Sequence, residues 1–194
     1  MHRGKIERLV VAVTGASGVI YAKRLLEVLT EKNIETHLIV SKTAGKIIRH
    51  ELDMGREDFE KLGRYCYREE EVDAPLASGS FKTDGMIIIP CSLKTLAGIA
   101  CGYTGNLILR AADVALKEKK TLILVPRETP LNVIHLRNML ELARIGVVIL
   151  PAMPAFYYKP RRLEELVDFI VGKVLDILGI EHDLFKRWGA EPRE

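Results

Sequence analysis

Two short stretches carry groups able to hold an anion: Val13-Thr-Gly-Ala-Ser-Gly18 and Pro90-Cys-Ser-Leu-Lys-Thr95. Each follows an apolar run and opens an amphipathic one, the pattern of a strand-to-helix turn. The first turn of a helix offers unpaired backbone N–H groups and the positive end of its dipole, so a phosphate is stabilised there. Ser92 and Thr95 add hydroxyls, and Lys94 adds a charge. Two further patches fall where strands should end. Val125-Pro-Arg-Glu-Thr-Pro130 puts Arg127 and Glu128 after an apolar run. Pro151-Ala-Met-Pro-Ala-Phe-Tyr-Tyr158 is an apolar, proline-fixed loop suited to lining a pocket for an apolar tail.

The elements that must position these groups alternate between strand and helix. Leu9 to Val13, Thr36 to Val40, Met86 to Pro90, Leu122 to Val125 and Val147 to Leu150 read as buried strands, with Tyr65 to Tyr67 a short third one in chain order. Helical spacing covers Val19 to Leu29, Lys42 to Leu52, a segment from Leu93, Asn106 to Lys119 capped by Asn106, Leu131 to Ile145 and Leu163 to Leu178. Asp53 to Asp73 reads as charged and irregular, and Glu69-Glu-Glu-Val-Asp73 within it as a solvated loop. Near-continuous apolar strands separated by helices predict one domain, residues 1–194. Its fold class is α/β, a three-layer α/β/α Rossmann-like fold with a mostly parallel sheet of about six strands. In the order 3-2-1-4-5-6 the strand order reverses between the first and fourth strands, and ligands bind beyond the carboxyl ends at such a point. Those two strands end in the two Gly/Ser/Thr turns.

The bulk numbers narrow the classes of function. The chain has 194 residues, a net charge of +3, 48% apolar and 28% charged residues. That charge is too small for a nucleic-acid surface. No run approaches the roughly 20 apolar residues that span a bilayer, so no membrane is expected. Cys66, Cys91 and Cys101 form no CxxC pair, and the histidines show no ligand spacing, so neither a disulfide framework nor a metal site is expected, and a cytoplasmic location fits. The first turn is not the dinucleotide fingerprint, because Ser17 and Ile20 stand where G-x-G-x-x-G needs glycine, and no G-x-x-x-x-G-K-[ST] occurs. A mononucleotide with one phosphate remains, FMN foremost.

With these patches in view, the sequence resembles the flavin prenyltransferases of the UbiX family, within the flavoprotein superfamily that also holds cysteine decarboxylases. The resemblance rests on Thr14-Gly-Ala-Ser-Gly18, Ser78-Gly-Ser-Phe-Lys-Thr83, Pro90-Cys-Ser-Leu-Lys-Thr95, Arg110-Ala-Ala-Asp113, Arg127-Glu-Thr-Pro-Leu131 and Pro151-Ala-Met-Pro-Ala-Phe-Tyr157. It implies metal-independent transfer of a dimethylallyl group from dimethylallyl monophosphate to N5 and C6 of reduced FMN, the prenylated FMN passing to a UbiD-type decarboxylase. It also implies that Gly15, Ala16, Ser17, Ser41, Ser92, Leu93, Lys94, Thr95 and Arg127 hold FMN. Tyr157 and Lys173 would bind the dimethylallyl phosphate, joined by Arg110 and Lys117 from a neighbouring copy in a homo-oligomer, often a dodecamer with sites at subunit contacts.

The chemistry suits those residues. Breaking an allylic C–O bond builds negative charge on the phosphate, which Arg110, Lys117 and Lys173 would stabilise, and leaves an allyl fragment attracted to the face of Tyr157. A general base must take the flavin proton; Glu128 is the first choice and Glu51 the second. Lys173 stands where some relatives carry arginine, keeping the charge without the bidentate fork. The rival readings are a flavin-dependent cysteine decarboxylase, a direct aromatic-acid decarboxylase and a non-catalytic flavin carrier.

Overall fold

Six strands form the centre of the chain: β1 (Arg8–Val13), β2 (Glu35–Val40), β3 (Tyr65–Arg68), β4 (Gly85–Cys91), β5 (Thr121–Pro126) and β6 (Val148–Ile149). Seven α-helices connect and cover them: α1 (Val19–Glu31), α2 (Lys42–Leu52), α3 (Arg56–Glu60), α4 (Leu93–Ala100), α5 (Leu107–Lys117), α6 (Val133–Arg144) and α7 (Leu163–Leu178). The computed structural model describes residues 5–189. Every strand pairing is parallel, in the order β3-β2-β1-β4-β5-β6.

Alternate side chains of a strand point to opposite faces, so a strand buried on both sides is apolar throughout. All seven residues of β4 are buried. Ile87 and Ile89 join Val11, Val13, Leu38 and Val40 in a core closed by α1, α2 and α7. Met86 and Ile88 join Val10, Ala12, Leu122 and Leu124 in a second core under α4, α5 and α6. Arg24 on α1 donates to Asp168 on α7 at 2.7 Å, tying two neighbouring helices together. Helices α5 and α7 therefore lie on opposite sides of the sheet, a separation that matters for the site.

The expected order 3-2-1-4-5-6 is the observed one, and the sheet is wholly rather than mostly parallel. Three local expectations need correction. Residues 53–73 are not simply irregular: α3 forms there because Phe59 is fully buried and anchors it. Helix α6 starts after Asn132 rather than at Leu131, because the Asn132 side chain accepts the His135 N–H while His135 reaches back to Asn132. Helix α5 stops at Lys117, and Lys119 takes a φ of 54°. His37 is held structurally: Nδ1 meets the Tyr67 hydroxyl at 3.0 Å and Nε2 meets Glu35 at 2.9 Å.

Ile87 sits at the middle of the central strand with no exposed surface. Ile87→Ala is expected to destabilise the fold by about 2–5 kcal/mol through lost burial and a residual cavity. Urea unfolding reads this directly, and a loss below about 1 kcal/mol would contradict the packing described here.

Candidate functional site

Thr14, directly after β1, is almost wholly buried and joins the two Gly/Ser turns. Its hydroxyl donates to the Pro90 carbonyl at 2.8 Å and accepts the Ser92 N–H at 2.7 Å, while its own N–H donates to the same carbonyl at 3.2 Å. One short side chain thus fixes the end of β1 against the end of β4. Ser92 then caps α4, accepting the Thr95 N–H at 3.3 Å with the two hydroxyls 3.0 Å apart. Ser41 caps α2 through the Ala44 N–H at 3.1 Å, and Asn106 caps α5 through the Leu109 N–H at 3.0 Å.

These three caps, with Gly15, Lys94 and Thr95, line one cavity of about 160 Å³ at the carboxyl end of the sheet. Three helix N-termini converge on this space, and the helix ends left unpaired there favour an anion. Gly15 is needed for the approach of α2: a Cβ there would lie 2.6 Å from Thr43 Cγ2. Threonine is stiff about χ1, so the neighbour cannot simply swing away. Ala16 is buried and Ser17 half-buried in the same turn, while Leu93 opens α4, half-buried beside the exposed Lys94.

Glu69 requires a correction, because it is no solvated loop residue. Its carboxylate accepts the Lys42 N–H at 2.6 Å and the Asn106 side-chain amide at 2.9 Å, forming one wall of the cavity. Sequence reasoning missed it, and also missed Thr14, Thr43 and Asn106 as wall residues. A hydroxyl directly after a buried strand was the available signal for Thr14. Glu69 gave no local signal, since β3 alone brings it there.

Glu51 is also committed to backbone. Its Oε2 accepts the Gly18 N–H at 2.9 Å and the Val19 N–H at 3.2 Å, capping α1, whose own cap residue Gly18 has a φ of 103° and no side chain to do so. This geometry ties the Glu51 carboxylate to the first turn. Arg127, past the end of β5, donates from Nε to the Ser17 carbonyl at 3.1 Å, drawing the strand end to the same turn. Tyr21 packs there too; burial pushes its hydroxyl pKa up, and Arg127 pulls it the other way.

Arg127 and Glu128 line a second cavity of about 330 Å³ with Leu131, Met139, Pro151 and Met153. Glu128 is exposed, and among the described residues its Oε1 accepts only the adjacent Thr129 N–H, at 3.1 Å. Its carboxylate is thus available to solvent and to a ligand. Cys91, beside the site, is buried, and that burial drives its thiol far above the range where a nucleophilic thiolate forms. A larger cavity of about 590 Å³ lies at the opposite, amino end of the strands, lined by Lys5, Asn33, Thr36 and Arg64, away from all of these groups.

The remaining candidates lie elsewhere in the single chain. Tyr157 packs edge-on against Tyr158, Phe169 and Trp188, and Lys173 on α7 has Nζ 3.7 Å from Asp176. Neither lines the two cavities. Arg110 and Lys117 are both exposed on α5, two helical turns apart and without an ion-pair partner among the described residues.

Known proteins match this chain over nearly its whole length. A family model described as Flavoprotein matches residues 2–175. A flavin prenyltransferase UbiX of Methanocaldococcus jannaschii is 53% identical over 183 residues, 94% of this chain and 99% of that protein. A crystal structure of AnUbiX in complex with FMN and dimethylallyl pyrophosphate superposes with a TM-score of 0.94 at 46% identity, covering 97% of this chain and all (100%) of that one. A dodecameric FMN-dependent UbiX-like decarboxylase from Escherichia coli O157:H7 superposes with a TM-score of 0.92 at 48% identity, over 94% of this chain and 100% of that one.

The Thr14 bridge is directly testable. Thr14→Val keeps the volume but strands the Ser92 N–H and the Pro90 carbonyl without their hydroxyl partner. It is expected to cost about 1–3 kcal/mol of stability and to weaken FMN binding, read by flavin fluorescence. Thr14→Ser should restore both. Wild-type stability and FMN affinity in Thr14→Val would show that the bridge does not hold the turns.

Proposed function

Because this chain belongs to the flavoprotein family, and within it to the UbiX flavin prenyltransferases, we propose that it transfers a dimethylallyl group from dimethylallyl monophosphate to N5 and C6 of reduced FMN. The observation that carries this reading furthest is the convergence of the α2, α4 and α5 N-termini on one cavity, whose Gly15 wall belongs to the turn that Arg127 holds through Ser17. That cavity suits a single phosphate: backbone N–H groups, the Ser41, Ser92 and Thr95 hydroxyls, and the Lys94 charge surround it.

In this reading Gly15, Ala16, Ser17, Ser41, the turn from Ser92 to Thr95 and Arg127 hold the nucleotide. Bound reduced FMN supplies the nucleophilic ring positions. Glu128, free of any ion pair among the described residues, takes the ring proton lost as a new bond forms. Glu51 holds the first turn through Gly18 and Val19 and is the second choice for that proton. Tyr157 offers an aromatic face to the allyl fragment, and Lys173 meets the leaving phosphate as its charge develops.

Arg110 and Lys117 complete the cationic cup from a second copy of the chain. Helix α6 supports an oligomer, since Val133, Ile134, Leu136 and Leu140 are all more than half exposed; an apolar face of that extent marks an interaction surface. The assembly read here is a dodecamer, and the prenylated FMN product goes to a UbiD-type decarboxylase. No helix of the described residues is long and apolar enough to cross a membrane, in keeping with a cytoplasmic enzyme.

The test is anaerobic incubation with reduced FMN and dimethylallyl monophosphate, followed by mass spectrometry of the flavin. Wild type is expected to give flavin heavier by one dimethylallyl unit. Glu128→Gln is expected to bind FMN normally but turn over about 10²–10⁴-fold more slowly, the usual contribution of a positioned proton-transfer group. Unmodified flavin from wild type with both ligands bound would overturn the assignment. Full turnover in Glu128→Gln would remove Glu128 from the proton-transfer role.

A further inference from the structure

Beyond α7 the chain leaves Gly179 with a φ of 75° and turns back along its own closing helix. The root of this return is tightly seated. A Cβ on Gly172 would lie 2.6 Å from the Phe185 ring and 2.7 Å from the His182 ring, so only glycine at that position lets the segment lie down. Asp176 gathers the segment electrostatically. Its carboxylate accepts from Arg187 Nη2 at 2.7 Å and Nη1 at 3.2 Å, and meets His182 Nε2 at 3.1 Å. Lys173, one turn earlier on the same helix, stands 3.7 Å from the same carboxylate.

The tip of the segment lies on Tyr157. The Tyr157 hydroxyl donates to the Lys186 carbonyl at 3.1 Å, and the Trp188 ring meets the Tyr157 ring edge-on at 5.3 Å between centroids. The segment therefore contacts both groups assigned to the donor phosphate, Tyr157 directly and Lys173 through the shared Asp176. It brings a guanidinium to that place. Lys173 and Arg187 share one carboxylate, which leaves a surplus of positive charge in the cluster. Burial alone would raise the Asp176 carboxyl, but Arg187 and His182 hold it below its usual range.

We propose that Arg187 is a further ligand for the phosphate of the allylic donor, held ready by Asp176 and drawn onto the phosphate when it arrives beside Tyr157 and Lys173. This rests on the reading of Tyr157 and Lys173 given above and deepens it. A phosphate offers Arg187 the bidentate pairing that it now makes with Asp176. It also supplies the fork that a lysine at position 173 lacks. The seated root, His182 and Phe185 on Gly172, stays fixed, while the exposed tip from Lys186 to Trp188 moves with Arg187. The same movement takes the Lys186 carbonyl off the Tyr157 hydroxyl, freeing that hydroxyl for the phosphate.

Trp188 is the only tryptophan of the chain, so its emission reports this tip alone. Titration of the full-length protein with dimethylallyl monophosphate, and separately with inorganic phosphate, is expected to change that emission saturably. Arg187→Gln should abolish the change and raise the KM for dimethylallyl monophosphate about ten-fold, the scale of one lost charge-assisted pair. FMN affinity should stay at the wild-type value. Arg187→Lys, which keeps the charge without the fork, should fall between the two. Lys173→Ala in parallel separates the two layers of the reading. A raised donor KM in Lys173→Ala with a wild-type KM in Arg187→Gln overturns the role of Arg187 and leaves the donor site standing. A wild-type donor KM in both variants overturns the donor site as well.

Discussion

The site depends on one buried hydroxyl. A parallel sheet leaves its strand ends to be arranged by whatever bonds the loops can make, and here Thr14 makes them: Pro90 on one side, Ser92 on the other. The first contact is buried and the second partly so, and a buried group left without its partner costs more than the bond itself gains. The reversal of strand order between β1 and β4 opens the crevice. Thr14 sets how the helix N-termini on either side of that crevice face each other. Gly15 and Ser92, next in line on each side, inherit their positions from it.

Anion binding then follows from which N-termini are already neutralised. Glu51 occupies the start of α1, and Glu69 takes the first N–H of α2. No described acid sits in the first turn of α4, whereas at α5 the Glu69 carboxylate already accepts from the Asn106 cap. The open positive end is therefore that of α4, where Ser92, Thr95 and Lys94 stand, with α5 beside it. The two carboxylates do not compete with a phosphate so much as confine it: they close the alternative helix ends and leave one orientation in which the dipoles are unpaired. Arg127, reaching Ser17 from β5, links this end to the second cavity, where Glu128 is left exposed.

Much of this was legible in the sequence because it is local. Strand-to-helix turns, caps at Ser92 and Asn106, and the order of the strands all follow from runs of a few residues with a clear period. Two kinds of feature were not. Glu69 reaches the site only because β3 pairs at the sheet edge, and nothing in the charged stretch around it distinguishes it from Glu70 or Glu71. Glu51 carries no mark in the sequence of the backbone that it holds. Its engagement with Gly18 and Val19, more than 30 positions away in the chain, is a tertiary fact. Residue type announces chemistry, but only packing decides whether a charge is free to perform it.

The same reasoning bears on why one copy of the chain is not a complete catalyst in the reading proposed here. Arg110 lies on α5, which covers one face of the sheet, and Lys173 lies on α7, which covers the other. Within one chain the sheet and its two cores stand between those helices. Arg110 and Lys117 are exposed and without ion-pair partners among the described residues, which is what a neighbouring copy needs if it is to bring α5 to the donor site. The bare apolar face of α6 supplies a reason for copies to associate at all. In the proposed reading, oligomerisation would have a chemical consequence: cations that the fold separates would be reunited across a subunit contact, and leaving-group stabilisation would become a property of the assembly.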